Sequence, residues 1–420
     1  MVPPSMHAPT PWYARDTTPG YVLLGATVLS FALSNSGAGA AFRGALDASI
    51  DLRLGDFLAH TTVAKFIKNA LMAVFFLFVG LELKRECIEG PFRNPREAAL
   101  PALGALGGML APAFIYLLIA THLHPAANSA FTRGWAIPTA TDIAFAVGVL
   151  SLLGPRVPPG LRLFLLALAI ADDLGAILVI ALFYSGDVTL VALAIAAVLF
   201  GALLWLNRIG VMKLWPYWTL GLALWAAMAG SGVSPTLAGV LTAIAVPMRG
   251  RDGSSPLVIA EHALKLPVQL GVMPIFALAV AGVAIEGAGV AAALAHPVTL
   301  GIAFGLLIGK PLGIVALLWL GARILRQPTP GALPQLTGVA LIAGIGFTMS
   351  LFVGALAFPD HPELAAPVRF GVLGGSLLSA VTGVLLLNIV LPRGHAADPG
   401  SALSKDEDLA EARGVLEDKD

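Results

Sequence analysis

The stretch Leu166-Ala-Leu-Ala-Ile-Ala-Asp-Asp-Leu-Gly-Ala-Ile177 places two acids, Asp172 and Asp173, inside an apolar run from 161 to 184. The run shows no strand alternation, and it exceeds the roughly 20 residues a helix needs to cross a bilayer. A charge at the bilayer centre costs at least ~2.5–3.5 kcal/mol, so an acid there needs a reason. Adjacent helical residues point about 100° apart. The pair can therefore border a polar cavity but cannot share one lipid-facing direction. Two close, buried carboxylates resist ionising together. Such a group can alternate between holding a proton and holding a cation, which is the chemistry of proton-coupled ion exchange. The plainer alternative is a hydrogen-bonded acid pair that cements helices.

Outward from this run, apolar segments continue along the chain. Twelve candidate spans fall near 20–36, 64–83, 98–120, 135–151, 161–184, 188–207, 214–230, 233–248, 266–286, 298–321, 335–358 and 367–392. The segments are continuously apolar rather than alternating, which favours helices over a barrel. Composition agrees: 57% of the 420 residues are hydrophobic and 12% charged. An ordinary soluble domain has roughly 45–50% and 25%. The reading is an all-α integral membrane protein of about 12 transmembrane helices. Lys+Arg and Asp+Glu are both 25, so no global basic field exists to hold nucleic acid. A single cysteine, Cys87, excludes an internal disulfide, and no Cys/His cluster suggests zinc. No cofactor is called for.

Loop charge sets the expected orientation. Thirteen Lys and Arg fall in loops on the side after span 2, and six on the opposite side. The richer side is cytoplasmic. An even number of spans then puts both termini there. The expected organisation is a cytoplasmic tail at 1–19, one membrane domain at 20–392, and an acidic cytoplasmic tail at 393–420. Within 37–63, Leu46, Ala48, Ile50, Leu52 and Leu54 alternate with Asp47, Ser49, Asp51 and Arg53. That period of two indicates an extracytoplasmic strand or hairpin.

Other ionisable residues also lie within spans. Asp142 sits in Trp135-Ala-Ile-Pro-Thr-Ala-Thr-Asp-Ile-Ala-Phe145, where Pro138 disfavours continuous helix. Thr139 and Thr141 can bond the freed backbone groups. Span 11 carries a matching interruption in Gly344-Ile-Gly-Phe-Thr-Met-Ser350. Paired interruptions in two halves point to a transporter's binding site. Broken helices expose positive N-terminal and negative C-terminal half-helix ends. Asp142 is the acid available to balance them. Lys310, more than ten residues from either end of span 10, is the base. The alternative for Lys310 is a snorkelling surface lysine.

These motifs resemble the signatures of the NhaA sodium/proton antiporters. They are Thr139-Ala-Thr-Asp-Ile-Ala-Phe145, Ala171-Asp-Asp-Leu-Gly-Ala176, Gly309-Lys-Pro-Leu-Gly313, Gly344-Ile-Gly-Phe-Thr-Met-Ser-Leu-Phe352 and Met72-Ala-Val-Phe-Phe-Leu-Phe-Val-Gly-Leu-Glu-Leu-Lys-Arg-Glu86. The resemblance runs in order through nearly the whole membrane domain. It implies that spans 3–5 and 10–12 are inverted repeats, with broken spans 4 and 11 crossing at mid-membrane. It implies that Asp173 is the principal Na+ and H+ ligand, with Asp172 its partner, paired with Lys310 in one state. Asp142 and Thr141 would complete the site, and Lys310 would compensate charge. Glu82, Arg85, Glu86, Glu261 and His262 match a cytoplasmic pH-sensing cluster; an ordinary charged helix end is the bland alternative. The implied activity is electrogenic, pH-regulated expulsion of Na+ and Li+ in exchange for H+ entering down the proton-motive force. The implied setting is the bacterial inner membrane, with homodimers joined through the hairpin.

Three positions depart from the family pattern. Asn69 stands where an acid is common, Lys265 where a second histidine is, and Val280 where an asparagine is frequent. An intramembrane aspartyl protease is disfavoured, because the strongest acid pair is adjacent on one helix and no Gly-x-Gly-Asp occurs. A nucleotide-driven pump is disfavoured, because Gly305 to Pro311 lacks phosphate-loop spacing. A sodium-coupled symporter for an organic anion stays open and would need a larger polar pocket.

Overall fold

The structure is a computed structural model that describes residues 17–54, 57–126, 128–186, 189–250, 253–283 and 289–392. The side chains of residues 51–60 lie outside the described set. So do most of the expected N-terminal tail and all of the tail at 393–420.

Helix α1 (Thr18–Ser34) turns through 110° into the short α2 (Gly39–Asp47). Strands β1 (Ser49–Leu54) and β2 (Phe57–Thr62) pair antiparallel, from Ser49 opposite Thr62 to Leu54 opposite Phe57. The expected strand starts later than its alternation. Leu46 and Asp47 belong to the end of α2, because helix and strand patterns overlap over so few residues.

Six long helices follow in the first two thirds of the chain or lead into the last third. They are α3 (Val63–Ile88), α4 (Pro95–Leu123), α7 (Pro159–Phe183), α8 (Leu190–Arg208), α11 (Pro256–Val280) and α13 (Pro297–Leu325). Between them lie the pair α5 (Ser129–Thr139) and α6 (Ile143–Ser151), α9 (Trp215–Ala229), α10 (Leu237–Ala245) and α12 (Gly289–Leu294). After α13 come α14 (Leu333–Ala343), α15 (Phe347–Ala357) and α16 (Pro362–Val390).

Among the described residues, seven helices are long and apolar enough to span a membrane, or ten if each bent pair is one span. That makes the chain an all-α membrane protein. Twelve spans are not reached by this measure. Expected spans 7 and 8 correspond to α9, of 15 residues, and α10, of 9. Ser231-Gly-Val-Ser-Pro235 and Pro247 shorten them. Helix α3 also runs past its expected end at 83, so Lys84 and Arg85 are helical rather than in a loop.

The tightest helix pair is α4 with α13. A methyl group on Gly107 or Gly313 would lie 2.0 Å from the other's carbonyl oxygen. Helices in lipid gain little hydrophobic drive from association, so close backbone approach and dispersion carry such pairs. Gly309 likewise sits against the backbone of Pro112. A π-helical turn, Gly305–Gly309, immediately precedes Lys310 and fixes where that side chain emerges.

Candidate ion-binding site

Two helix breaks meet at the centre of the fold. The first separates α5 from α6 with a 46° bend, and the second separates α14 from α15 with a 50° bend. Pro138 and the extended backbone at Ala140 to Asp142 end the first helix. The breaks bond to each other directly. Asp142 N donates to Ile345 O at 2.7 Å, and Thr141 Oγ1 donates to Ala343 O at 2.9 Å.

Asp142 is fully buried and is the N-cap of α6. Its Oδ1 accepts from Phe145 N at 3.0 Å. Its Oδ2 accepts from Thr348 N at 3.2 Å and from the Thr348 hydroxyl. One carboxylate therefore serves the positive N-terminal ends of α6 and α15 together. Ser376 on α16 adds a second cap at α15, accepting from Phe347 N at 3.1 Å. Ser350 Oγ donates to Ile137 O at 2.7 Å, tying α15 back to α5.

Lys310 serves a negative end. Its Nζ donates to the carbonyl of Thr139, the last residue of α5. The same ammonium sits 2.7 Å from Asp172 Oδ2 on α7, and both side chains are 2% exposed. Snorkelling is therefore excluded for Lys310 in this conformation. A buried lysine is tolerated here because a carboxylate and a helix-end carbonyl both receive its protons.

Asp173 differs from its neighbours. It is 1% exposed, and neither of its carboxylate oxygens has a hydrogen-bond partner. The charged groups acting on it are Asp172, Glu82, Asp142 and Lys310. A buried acid with both oxygens unused is costly unless something binds it. A proton or a hard cation, which takes oxygen ligands, meets that need.

At the far end of α3, Arg85 Nε donates to Glu261 Oε2 on α11 at 2.8 Å, and Arg85 Nη2 lies 2.9 Å from Glu86. Glu82 is one turn earlier on α3 and feels Glu261, Arg85, Glu86 and Lys265. Four of the five expected cluster residues are thus brought together. His262 is exposed beside Glu261 and shares no bond with them.

Residues 11–387 match the family described as Na+/H+ antiporter 1. The chain belongs to this family. Relatives named Na(+)/H(+) antiporter NhaA span most of it. One from Pseudomonas putida is 47% identical over 378 residues, covering 89% of this chain and 95% of that protein. Another from Bordetella parapertussis is 47% identical over 381 residues, covering 89% and 94%. A third from Rhodospirillum rubrum is 47% identical over 386 residues, covering 89% and 95%. As a Na+/H+ antiporter 1 family member, the chain is a multi-pass secondary transporter and not an enzyme.

The three departures from the family pattern have plain surroundings in this antiporter-family chain. The Asn69 carbonyl accepts from Trp225 Nε1 at 3.3 Å, Val280 is buried, and Lys265 is exposed. Sequence reasoning missed Thr348, Ser350 and Ser376 as structural members of the crossing. The available signal was hydroxyl residues near the start of a half-helix, where backbone N–H groups lack helical partners.

Proposed function

We propose that this chain is an electrogenic antiporter that expels Na+ and Li+ in exchange for H+ entering across a bacterial inner membrane. The observation that carries the reading is Asp173: a buried carboxylate with no hydrogen-bond partner, beside the ion-paired Asp172. Asp173 is the shared Na+ and H+ ligand. Asp172 is its partner, released from Lys310 when the site takes a cation. Thr141 and Asp142 complete the site, and Lys310 and Asp142 balance the half-helix ends. Protons and Na+ then compete for the same oxygens, which is the coupling that exchange requires.

Spans 3–5 and 10–12 are the inverted repeats of this reading, built on α4 to α7 and α13 to α16, within twelve spans. Both termini are cytoplasmic, as the loop charge favours. Glu82, Arg85, Glu86, Glu261 and His262 set the pH response from the cytoplasmic side. The β1–β2 hairpin joins two copies into a homodimer. Collapse of a pH gradient by Na+ or Li+ in proteoliposomes, without any organic solute, tests the core claim. Exchange that demands an organic anion would instead favour the symporter.

A further inference from the structure

His296 stands at the start of α13, the span that carries Lys310. Its Nδ1 accepts the N–H of Val298 at 3.2 Å, and its carbonyl accepts Leu300 N at 3.0 Å. Pro297 between them has no N–H to satisfy. The imidazole is thus the side-chain cap of the helix. Its ring also packs on Phe131 of α5, with centroids 5.2 Å apart. Tyr116 Oη holds Phe131 by its carbonyl at 2.9 Å. The opposite end of α5 is Thr139, whose carbonyl receives Lys310. Two contacts therefore staple α13 to α5, one at His296 and Phe131, the other at Lys310 and Thr139.

We propose that His296 is a positioning residue that responds to acid at the extracytoplasmic face. The neutral ring caps α13 and seats α5 for transport. Protonation releases the cap, shifts the start of α13 against α5 and stops exchange. This deepens the antiport reading, and its sidedness rests on the orientation given there.

The chemistry follows from the ring's two nitrogens. With Nδ1 accepting an N–H, the proton of the neutral ring is on Nε2. A second proton has to enter at Nδ1, which turns the acceptor into a donor facing Val298 N–H. The cation then also stands at the positive end of the α13 dipole. Attraction to the Phe131 ring favours the cation, but the lost cap and the dipole both oppose it.

The elements packed on α13 bring Tyr116 and His122 from α4, His124 just beyond its end, Arg133 from α5, and Glu363 and Arg369 from α16. Of these, only His124 acts on the His296 ring, and its own Nδ1 accepts Ala126 N at 3.1 Å. Partial burial, followed by His124, holds the His296 pKa below the ordinary histidine value. The folded form thus takes up the proton less readily than the unfolded chain. Stability from this cap is present above the ordinary histidine pKa of about 6.5 and is lost as pH falls below it. Acid outside also steepens the inward proton drive, so a stop at this face would limit proton entry.

The test uses the full-length chain in oriented proteoliposomes with the pH of each face set separately. Wild-type Na+ exchange is expected to fall several-fold as extracytoplasmic pH drops from about 7.5 to about 5.5, the range in which histidine titrates. His296→Asn keeps a neutral cap and is expected to lose much less of its rate at saturating Na+. His296→Ala is impaired at every pH, and Asn at that position rescues it. Identical pH profiles for wild type and His296→Asn overturn the proposal. Acid sensitivity that appears only from the other face, and is lost in His296→Asn, upholds the switch and overturns the orientation. Thermal unfolding in detergent reads the cap without transport. Wild type is expected to lose more melting temperature on acidification than His296→Asn, and equal losses count against the switch even if no exchange is seen.

Discussion

Asp142 and Thr348 are 206 residues apart in sequence and meet across the two helix breaks, both the amide and the hydroxyl of Thr348 donating to Oδ2. Through this contact one carboxylate caps two half-helices that come from different thirds of the chain. Thr348→Val keeps the shape and the amide donor but removes the hydroxyl. Hydrogen bonds to charged groups contribute about 1.5–3 kcal/mol. The variant is expected to unfold at lower temperature and to need more Na+ for half-maximal exchange. Unchanged melting and unchanged Na+ dependence would remove Thr348 from the crossing.

The Lys310–Asp172 pair makes a second prediction. Removing one partner of a buried pair leaves an uncompensated charge, at a cost of about 3–5 kcal/mol. Lys310→Ala is therefore expected to destabilise strongly and to shift apparent Na+ affinity. Lys310→Ala with Asp172→Asn should recover part of the stability but not transport. A double-mutant cycle on thermal stability measures the coupling. Additive losses would mean that the two groups do not rely on each other.

Much of the fold and the buried acids at the helix crossing are legible in the sequence. The reason is that lipid leaves no water to satisfy backbone or charge. An acid at Asp172, Asp173 or Asp142, or a base at Lys310, therefore stands out against apolar surroundings. The Pro138 and Gly344–Gly346 interruptions were legible for the same reason. Less legible were Thr348, Ser350 and Ser376. Hydroxyls are common in membrane helices, and their value here depends on which backbone end lies opposite. The exact ends of α3 and β1 were also obscured. Lys84 and Arg85 read as loop charge but continue the helix, while Leu46 and Asp47 read as strand but end α2.

The cluster around Arg85 makes the third prediction. Arg85 holds Glu261 on α11 and Glu86 on its own helix. Arg85→Gln keeps a donor but removes the charge that restrains these acids. It is expected to move the pH at which exchange turns on more than the maximal rate. Glu82 also acts on Asp173. If Glu82→Gln abolishes exchange at every pH, Glu82 belongs to the ion path and its regulatory role is wrong.

A fourth prediction separates assembly from transport. Among the described residues, strands β1 and β2 pair only with each other. Deleting residues 45–56 is expected to weaken dimers, read by cross-linking or mass photometry, while exchange per protomer survives. A correctly inserted monomer with no exchange would contradict that separation.

The last prediction concerns the exchange itself. Na+ and H+ compete for Asp173 if each must leave before the other binds. Raising pH lowers proton occupancy, so the apparent KM for Na+ is expected to fall with pH until deprotonation is complete. The sign reverses for acid: each tenfold rise in H+ over the competitive range raises apparent KM by up to tenfold, while the maximal rate at saturating Na+ changes less. Asp173→Asn keeps the volume of the side chain but cannot exchange a proton. It is expected to abolish exchange and Na+-induced proton release while leaving the Lys310–Asp172 contact in place. If more positive charge enters as H+ than leaves as Na+, an inside-negative voltage accelerates Na+ efflux. The deciding measurement is exchange in proteoliposomes with voltage clamped by K+ and valinomycin. Voltage-insensitive exchange would refute electrogenicity alone. Robust exchange by Asp173→Asn would refute the assignment of Asp173, and the unpartnered carboxylate at the centre of the fold would then need another occupant.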